Sequence, residues 1–221
     1  MSFELDHVLI CTHVDAPEAD HLIDFGLTEG PPNVHPGQGT ANRRFFFHNA
    51  MLECFWVHTS EETQNAITRP THLWPRWKGR GRETSPFGIC LRPKSPQTDI
   101  MPFPTWAYRP AYVPEPMVMH MGENASVVTE PLLFYKAFGG RPDQADSPLP
   151  LDHALGFREV TSLRLHSPEP SPPSPTLQDA LQTGVFTLHA DSTHWIEVGF
   201  DQERQGKTMD FRPALPLVFR W

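Results

Sequence analysis

Cysteine is scarce: Cys11, Cys54 and Cys90 are the three in a chain of 221 residues. An odd count without close spacing excludes a disulfide framework. It reads as reduced thiols of a cytoplasmic protein, each a small member of an apolar run. No apolar stretch reaches the ~20 residues that a membrane-spanning helix needs. The opening Met1–Asp6 has neither the basic start nor the long apolar stretch of a signal peptide, so no membrane partner is expected. Positive charge is also short. Eighteen Lys and Arg face 26 Asp and Glu, a net charge of −8, which argues against nucleic acid as the main partner. The patterns His-Glu-x-x-His, Gly-x-Ser-x-Gly, paired Cys-x-x-Cys and Gly-x-x-x-x-Gly-Lys are missing. Protease, serine hydrolase, zinc-ribbon and NTPase chemistries lose their support with them.

Proline, by contrast, is abundant: 25 residues, most of them between Pro70 and Pro175. Proline is excluded from helix interiors and central strands, so the middle of the chain is expected to be edge segments, turns and loops. The run Phe3–Thr12 alternates, with Phe3, Leu5, His7, Leu9 and Cys11 on one face and Val8 and Ile10 on the other, and predicts a central strand. Asp15, Pro17 and Glu18 predict a capped helix start, and Gly26 its end. Strands are predicted at Arg43–His48 and Met51–His58, and again at Phe87–Arg92. Extended segments follow at Thr105–Val113 and Met117–Met121, while Leu132–Phe138 is an apolar run of either type. Strand, helix, strand, strand then recurs: Glu159–His166, a polyproline spacer Ser167–Pro175, Thr176–Leu181, Gly184–His189 and His194–Phe200. The apolar tail from Phe211 to Trp221 is expected to dock on the body.

The strand LDHVLI, the helix after it, the loop HPGQGTAN and the strand MLECFWV resemble the glyoxalase-like branch of the vicinal oxygen chelate superfamily. The loop carries His35, Gly37, Gly39, Thr40 and Asn42, and the strand carries the Leu52–Glu53 step. The resemblance covers residues 3–58 well and 159–200 loosely. It implies an α+β fold of paired βαβββ modules that form a curved mixed sheet around a cleft. Residues 1–58 would be the first module. Residues 59–158 would be a Pro-rich middle insertion with additional strands, and 159–221 a degenerate second module with its docked tail.

Glu53 stands among apolar neighbours, Met51, Phe55 and Val57 on its own face. A carboxylate so placed needs a partner. His7 is the nearest candidate, either sharing a divalent metal such as Zn, Ni, Fe or Mn or making a plain His–Glu hydrogen bond. The resemblance implies metal ligands at inward positions of the first and last strands of each module, which His7 and Glu53 occupy. In the second half Ser162 stands where a histidine would be expected. Glu197 is the best third ligand there, and His120 a candidate fourth. His35 is a candidate acid–base residue beside Glu53. Thr40, Asn42 and Arg43 are candidate substrate contacts, one of Arg43 and Arg44 reaching an anionic group; the loop is otherwise a structural turn. Trp74, Trp77, Trp106, Tyr108 and Tyr112 either wall a pocket or anchor loops. The resemblance implies a small-molecule enzyme of lyase, isomerase or dioxygenase type acting on a small oxygen-rich substrate, with a homodimer as its expected assembly. The alternative is a non-catalytic protein that sequesters a small molecule.

Overall fold

The computed structural model describes residues 2–95, 100–168 and 172–221. Residues 169–171 of the expected polyproline spacer lie outside the described residues.

Strand β1 (Phe3–Cys11) is buried on both faces. Its alternation is broken at Asp6, where a bulge falls between the pairs Leu5–Leu91 and His7–Cys90. One extra residue reverses the phase of everything after it. Phe3 and Leu5 therefore pack with Val8 and Ile10, while His7, Leu9 and Cys11 face the opposite way. The expectation that Phe3 and Leu5 share the face of His7 is corrected by that residue.

Helix α1 (Asp20–Phe25) begins later than expected, after a 3-10 turn at Pro17–Ala19. Asp15 has a φ of 65° and does not cap it. Glu18 instead accepts the His13 backbone N–H at 3.0 Å. Gly26 ends the helix at a φ of 111°, as its sequence position suggests. Strand β2 (Asn33–His35) falls where a loop is expected and pairs with β3 (Thr40–Phe46), which in turn pairs with β4 (Met51–Val57). β4 lies parallel to β1. Short helices α2 (Ser60–Thr63) and α3 (Leu73–Lys78) follow.

Strands β5 (Phe87–Pro93), β6 (Thr105–Tyr108), β7 (Met119–Gly122) and β8 (Leu132–Lys136) complete a sheet of order β2-β3-β4-β1-β5-β8-β7-β6. In each half the first strand runs parallel to the last, β1 with β4 and β5 with β8. The halves join antiparallel through β1 and β5. The fold is thus the expected α+β curved mixed sheet around a cleft, but its second half comes from the Pro-rich middle and not from residues 159–200. Pro104 and Pro110 flank β6, and Pro93 ends β5; the prolines bound these strands and leave them intact.

The remaining chain forms β9 (Val160–Ser167), α4 (Pro175–Gln182), β10 (Thr187–Ala190), β11 (Trp195–Phe200), β12 (Thr208–Asp210) and β13 (Leu217–Arg220). They make a second sheet of order β10-β9-β11-β13-β12. It packs on the back of the first, so that Ile10, Phe45, Leu52 and Ile89 share one core with Leu165, Ile196, Phe200 and Phe219. Two polar clamps assist. Glu130, ahead of β8, accepts the backbone N–H (2.6 Å) and the hydroxyl (2.7 Å) of Ser174, the residue that caps α4. Arg76 of α3, fully buried, donates to the carbonyls of Val128 (2.9 Å), Ser85 (3.3 Å) and Glu130. The terminal nitrogens of this guanidinium, bound to backbone oxygens, tie α3 to the segment that enters β8.

Phe219 is fully buried against Phe200 (ring centroids 4.9 Å) and Phe211 (5.1 Å). Phe219→Ala is expected to cost ~3–5 kcal/mol. Because the two sheets share one core, the loss should shift a single urea transition, seen alike by far-ultraviolet circular dichroism and by tryptophan fluorescence. Two separated transitions would contradict the shared core.

Candidate functional site

The other face of the large sheet holds a cleft of about 270 Å³, at the small end for ligand cavities. Its walls are mostly apolar: Leu9, Met51, Phe55, Met121, Leu132 and Phe134 contribute from the strands. The segment between β6 and β7 folds over it with Tyr112, Val113 and Pro114. Polar groups enter from a few positions, among them His7, His35, Arg44, Glu53 and Lys136.

Glu53 follows from strand alternation: it shares the cleft face with Met51 and Phe55, while Leu52 and Cys54 enter the opposite core. The residue is 7% exposed. Its carboxylate makes no hydrogen bond or ion pair within the described residues. Directly across the strand pair stands Arg44, which also lines the cleft. Opposite charges so placed lie within reach of each other, yet they do not pair. Arg44 instead donates its Nε to the Pro31 carbonyl at 2.8 Å and rests over the Phe46 ring at 5.2 Å.

His7 is turned into the cleft by the bulge. Its Nδ1 lies 2.6 Å from Oδ1 of Asp6. That carboxylate also takes Lys136 Nζ at 3.0 Å and Arg92 Nη1 at 3.2 Å. Burial pushes the Asp6 carboxyl upward, but the Lys136 ammonium, the His7 hydrogen bond and Arg92 outweigh it and hold it well below the usual carboxylate range. Burial also opposes charge on His7. The carboxylate of Glu53, the Cys90 thiol and the Asp6 hydrogen bond overcome that, and its pKa rises to about 10.

His35 lines the cleft in a different state. Its Nε2 faces the Asn33 amide nitrogen at 3.0 Å, which can only donate. Its Nδ1 therefore carries the proton toward Thr40 Oγ1 at 2.9 Å. Burial lowers its pKa, the Glu53 charge notwithstanding, so His35 is a neutral wall residue, its ring tilted against Tyr112 at 4.7 Å. Gln38 completes this network. Its amide donates to Thr40 Oγ1 (2.7 Å), and its carbonyl accepts from Tyr108 (2.8 Å) and Tyr112 (3.2 Å). The loop that carries these residues is welded in place. A Cβ at Gly39, with φ 73°, would stand 2.2 Å from the Thr59 carbonyl oxygen, and Asn65 donates to the Gly37 carbonyl at 2.9 Å.

The structure thus brings His7, His35 and Glu53 to one cavity and leaves the other expected residues outside it. Thr40 stands behind the wall, holding His35 and Gln38. Asn42 is fully buried, its amide atoms without a partner, and does not line the cleft. Arg43 points to the opposite face, where Glu29 (2.6 Å), Asp20 (2.8 Å) and the Ala16 carbonyl (3.1 Å) saturate it. Strand alternation, not the loop, decides which arginine faces the cleft, and it is Arg44. Glu197 belongs to the second sheet, bound by Arg164 at 2.7 Å and by Arg220. His120 faces away from the cleft, between its cleft-lining neighbours Met119 and Met121, with its ring beside Tyr135 at 6.1 Å. Lys136 and Asp6 carry no role in the sequence reading. Lys136 was legible as the next residue on the Leu132–Phe134 face; Asp6 was not, because nothing in the run announces a bulge.

A metal site was expected from His7, Glu53, Glu197 and His120, and the last two are elsewhere. Asp6, His7 and Cys90 do place one donor atom each within 4.8 Å of one another. Asp6, however, is already shared by His7, Lys136 and Arg92, and burial raises the Cys90 thiol so that it stays protonated. Ringed by cations, this donor set does not fit a divalent ion.

Two consequences can be measured. Asp6→Asn leaves Lys136, Arg92 and His7 without their shared anion, and is expected to destabilise by roughly 3–5 kcal/mol, as breaking a buried pair does. In the wild type, the low pKa of Asp6 adds stability above the unfolded value near ~3.9 that is lost as pH falls. The raised pKa of His7 adds stability that is full below ~6.5 and lost as pH climbs through about 10. The urea midpoint should therefore fall on both sides of the window between these values, and the acid limb should flatten in Asp6→Asn. An unchanged acid limb would contradict the assignment.

No family model matches the chain, and no curated protein does. Among solved structures, a hypothetical protein from Staphylococcus aureus aligns over 99% of both chains with a TM-score of 0.54 and 9% identity. A hypothetical protein from Bacillus halodurans aligns over 66% of this chain and all of its own, with a TM-score of 0.42 and 15% identity. At 9% identity the first likeness is one of fold.

Proposed function

We propose that the chain is a glyoxalase-like small-molecule enzyme of the lyase or isomerase type, in which Glu53 moves a proton on a small oxygen-rich substrate. The observation that carries this reading is a buried carboxylate facing an apolar cavity with no hydrogen bond or ion pair among the described residues. Such a group costs stability unless something else uses it. Glu53 has the position of a general base: it accepts a proton from a carbon beside a carbonyl, and the C–H electron pair becomes an enolate. His7, cationic and anchored by Asp6, supplies a fixed positive charge for the developing oxyanion. Returning the proton to a neighbouring carbon gives isomerisation; expelling a leaving group gives elimination. The dioxygenase outcome loses its support with the dispersed metal donors.

A second reading is a non-catalytic binder. The methionines Met51, Met119 and Met121 favour it, because such walls adapt to varied ligands.

The test is solvent deuterium exchange into a panel of small hydroxy- and keto-carbonyl compounds, followed by proton NMR in the presence of a chelator. Exchange at a carbon beside the carbonyl is expected for the wild type. Glu53→Gln should slow it by about 10²–10⁴-fold while the protein stays folded. Ligand-induced stabilisation without exchange in any compound would select the binder.

A further inference from the structure

We infer that the ligand of this cleft is a small organic anion gripped by Arg44, with its acidic C–H or hydrogen-bond donor turned toward Glu53; this rests on, and sharpens, the role proposed for Glu53. The first observation is how the arginines around the cleft sheet are used. Arg43 has Glu29, Asp20 and a carbonyl. Arg92 has Glu4 (2.9 Å), Asp6 and the Asn49 carbonyl (2.6 Å). Arg141 has Asp143 and Glu159. Arg44 alone of these four is left incomplete. Only its Nε is engaged, and its two terminal nitrogens have no partner among the described residues. What remains is the planar two-nitrogen edge of a guanidinium, the edge that matches a carboxylate or phosphate in paired hydrogen bonds.

The second observation is where that edge stands. Beside the cleft lies another hollow, of about 510 Å³, that reaches Gly139, Gly140 and Arg141. Arg44, Met51 and Lys136 line both, so Arg44 sits on the wall between an apolar interior and a wide, polar mouth. Lys136 adds positive charge at the same junction. The third observation is the broken pair. Arg44 is opposite Glu53 in register, and holding its Nε on Pro31 keeps it from closing on the acid. A ligand whose charge meets Arg44 therefore presents its adjacent atoms to Glu53. The apolar walls behind require carbon, not a bare inorganic ion.

The experiment titrates lactate, its neutral amide and inorganic phosphate into ¹⁵N-labelled protein, reading cleft resonances and the Arg44 Nε–H. Lactate should shift them and the amide should bind far more weakly. Arg44→Met should weaken lactate by about 10- to 100-fold, the loss of a charge-assisted pair. Arg44→Lys, which keeps the charge and checks that the fold survives, should recover only part. Inorganic phosphate binding as tightly as lactate would show that the carbon skeleton contributes nothing and would overturn the organic anion as the ligand. Equal binding of lactate and its amide, or wild-type affinity in Arg44→Met, would overturn it. The two readings fail separately. Arg44-dependent binding without deuterium exchange removes the enzyme and keeps the anion site; exchange that is indifferent to Arg44 does the reverse.

Discussion

An acid and a guanidinium stand opposite each other on neighbouring strands and do not meet. In most β-sheets a Glu–Arg pair at one register position closes into a cross-strand ion pair. Here Arg44 is drawn aside by the Pro31 carbonyl and the Phe46 ring, and Glu53 is left buried and bare. A carboxylate left without a hydrogen bond or ion pair beside an apolar cavity is a standing cost to the fold. Other buried charges show that the fold has the means to satisfy such groups: Asp6 in the cleft sheet has three partners and Glu197 in the second sheet two arginines. The exception at Arg44 and Glu53 is what gives the cleft a chemical direction, positive at its mouth and negative within.

The rest of the structure maintains that geometry. The bulge at Asp6 sends His7 into the cleft and gives it an anionic anchor, while the ion cluster of Asp6, Lys136 and Arg92 crosses from β1 to β5 and β8 and locks the two halves of the sheet at their joint. The second sheet takes no part in lining the cleft. It covers the back of β1, β3, β4, β5 and β8, so that these strands are held from behind while their front stays open. Arg76 and Glu130, reaching carbonyls and the cap of α4, fix the segment that delivers β8. Rigidity behind and openness in front are what a preorganised site needs.

Much of this was legible in the chain. Alternation along β4 put Glu53 on one face with Met51 and Phe55, and the resemblance carried by residues 3–58 implied the curved mixed sheet. What could not be read has physical causes. A bulge carries no compositional mark, so Asp6 and the phase of β1 were lost. Prolines that merely flank short strands look the same in sequence as prolines that forbid them, so half of the cleft sheet was read as an insertion and the repeat was sought in residues 159–200. Glu197 imitates Glu53 in its apolar neighbours; its two arginine partners come from β9 and β13, at a distance that no local pattern shows. Arg43 and Arg44 differ by one position, and only the register of β3 tells which one faces the ligand.

The central claim is that Arg44 and Glu53 make no direct ion pair in the free protein, which leaves both open toward the cleft. A double-mutant cycle on stability measures this directly, with Arg44→Met, Glu53→Gln and the double variant unfolded in urea. The account predicts a coupling energy of about 1 kcal/mol or less, the through-space attraction of two charges that do not touch. A favourable coupling of ~2–3 kcal/mol would mean that the two charges already satisfy each other, and the cleft would have no open acid to offer.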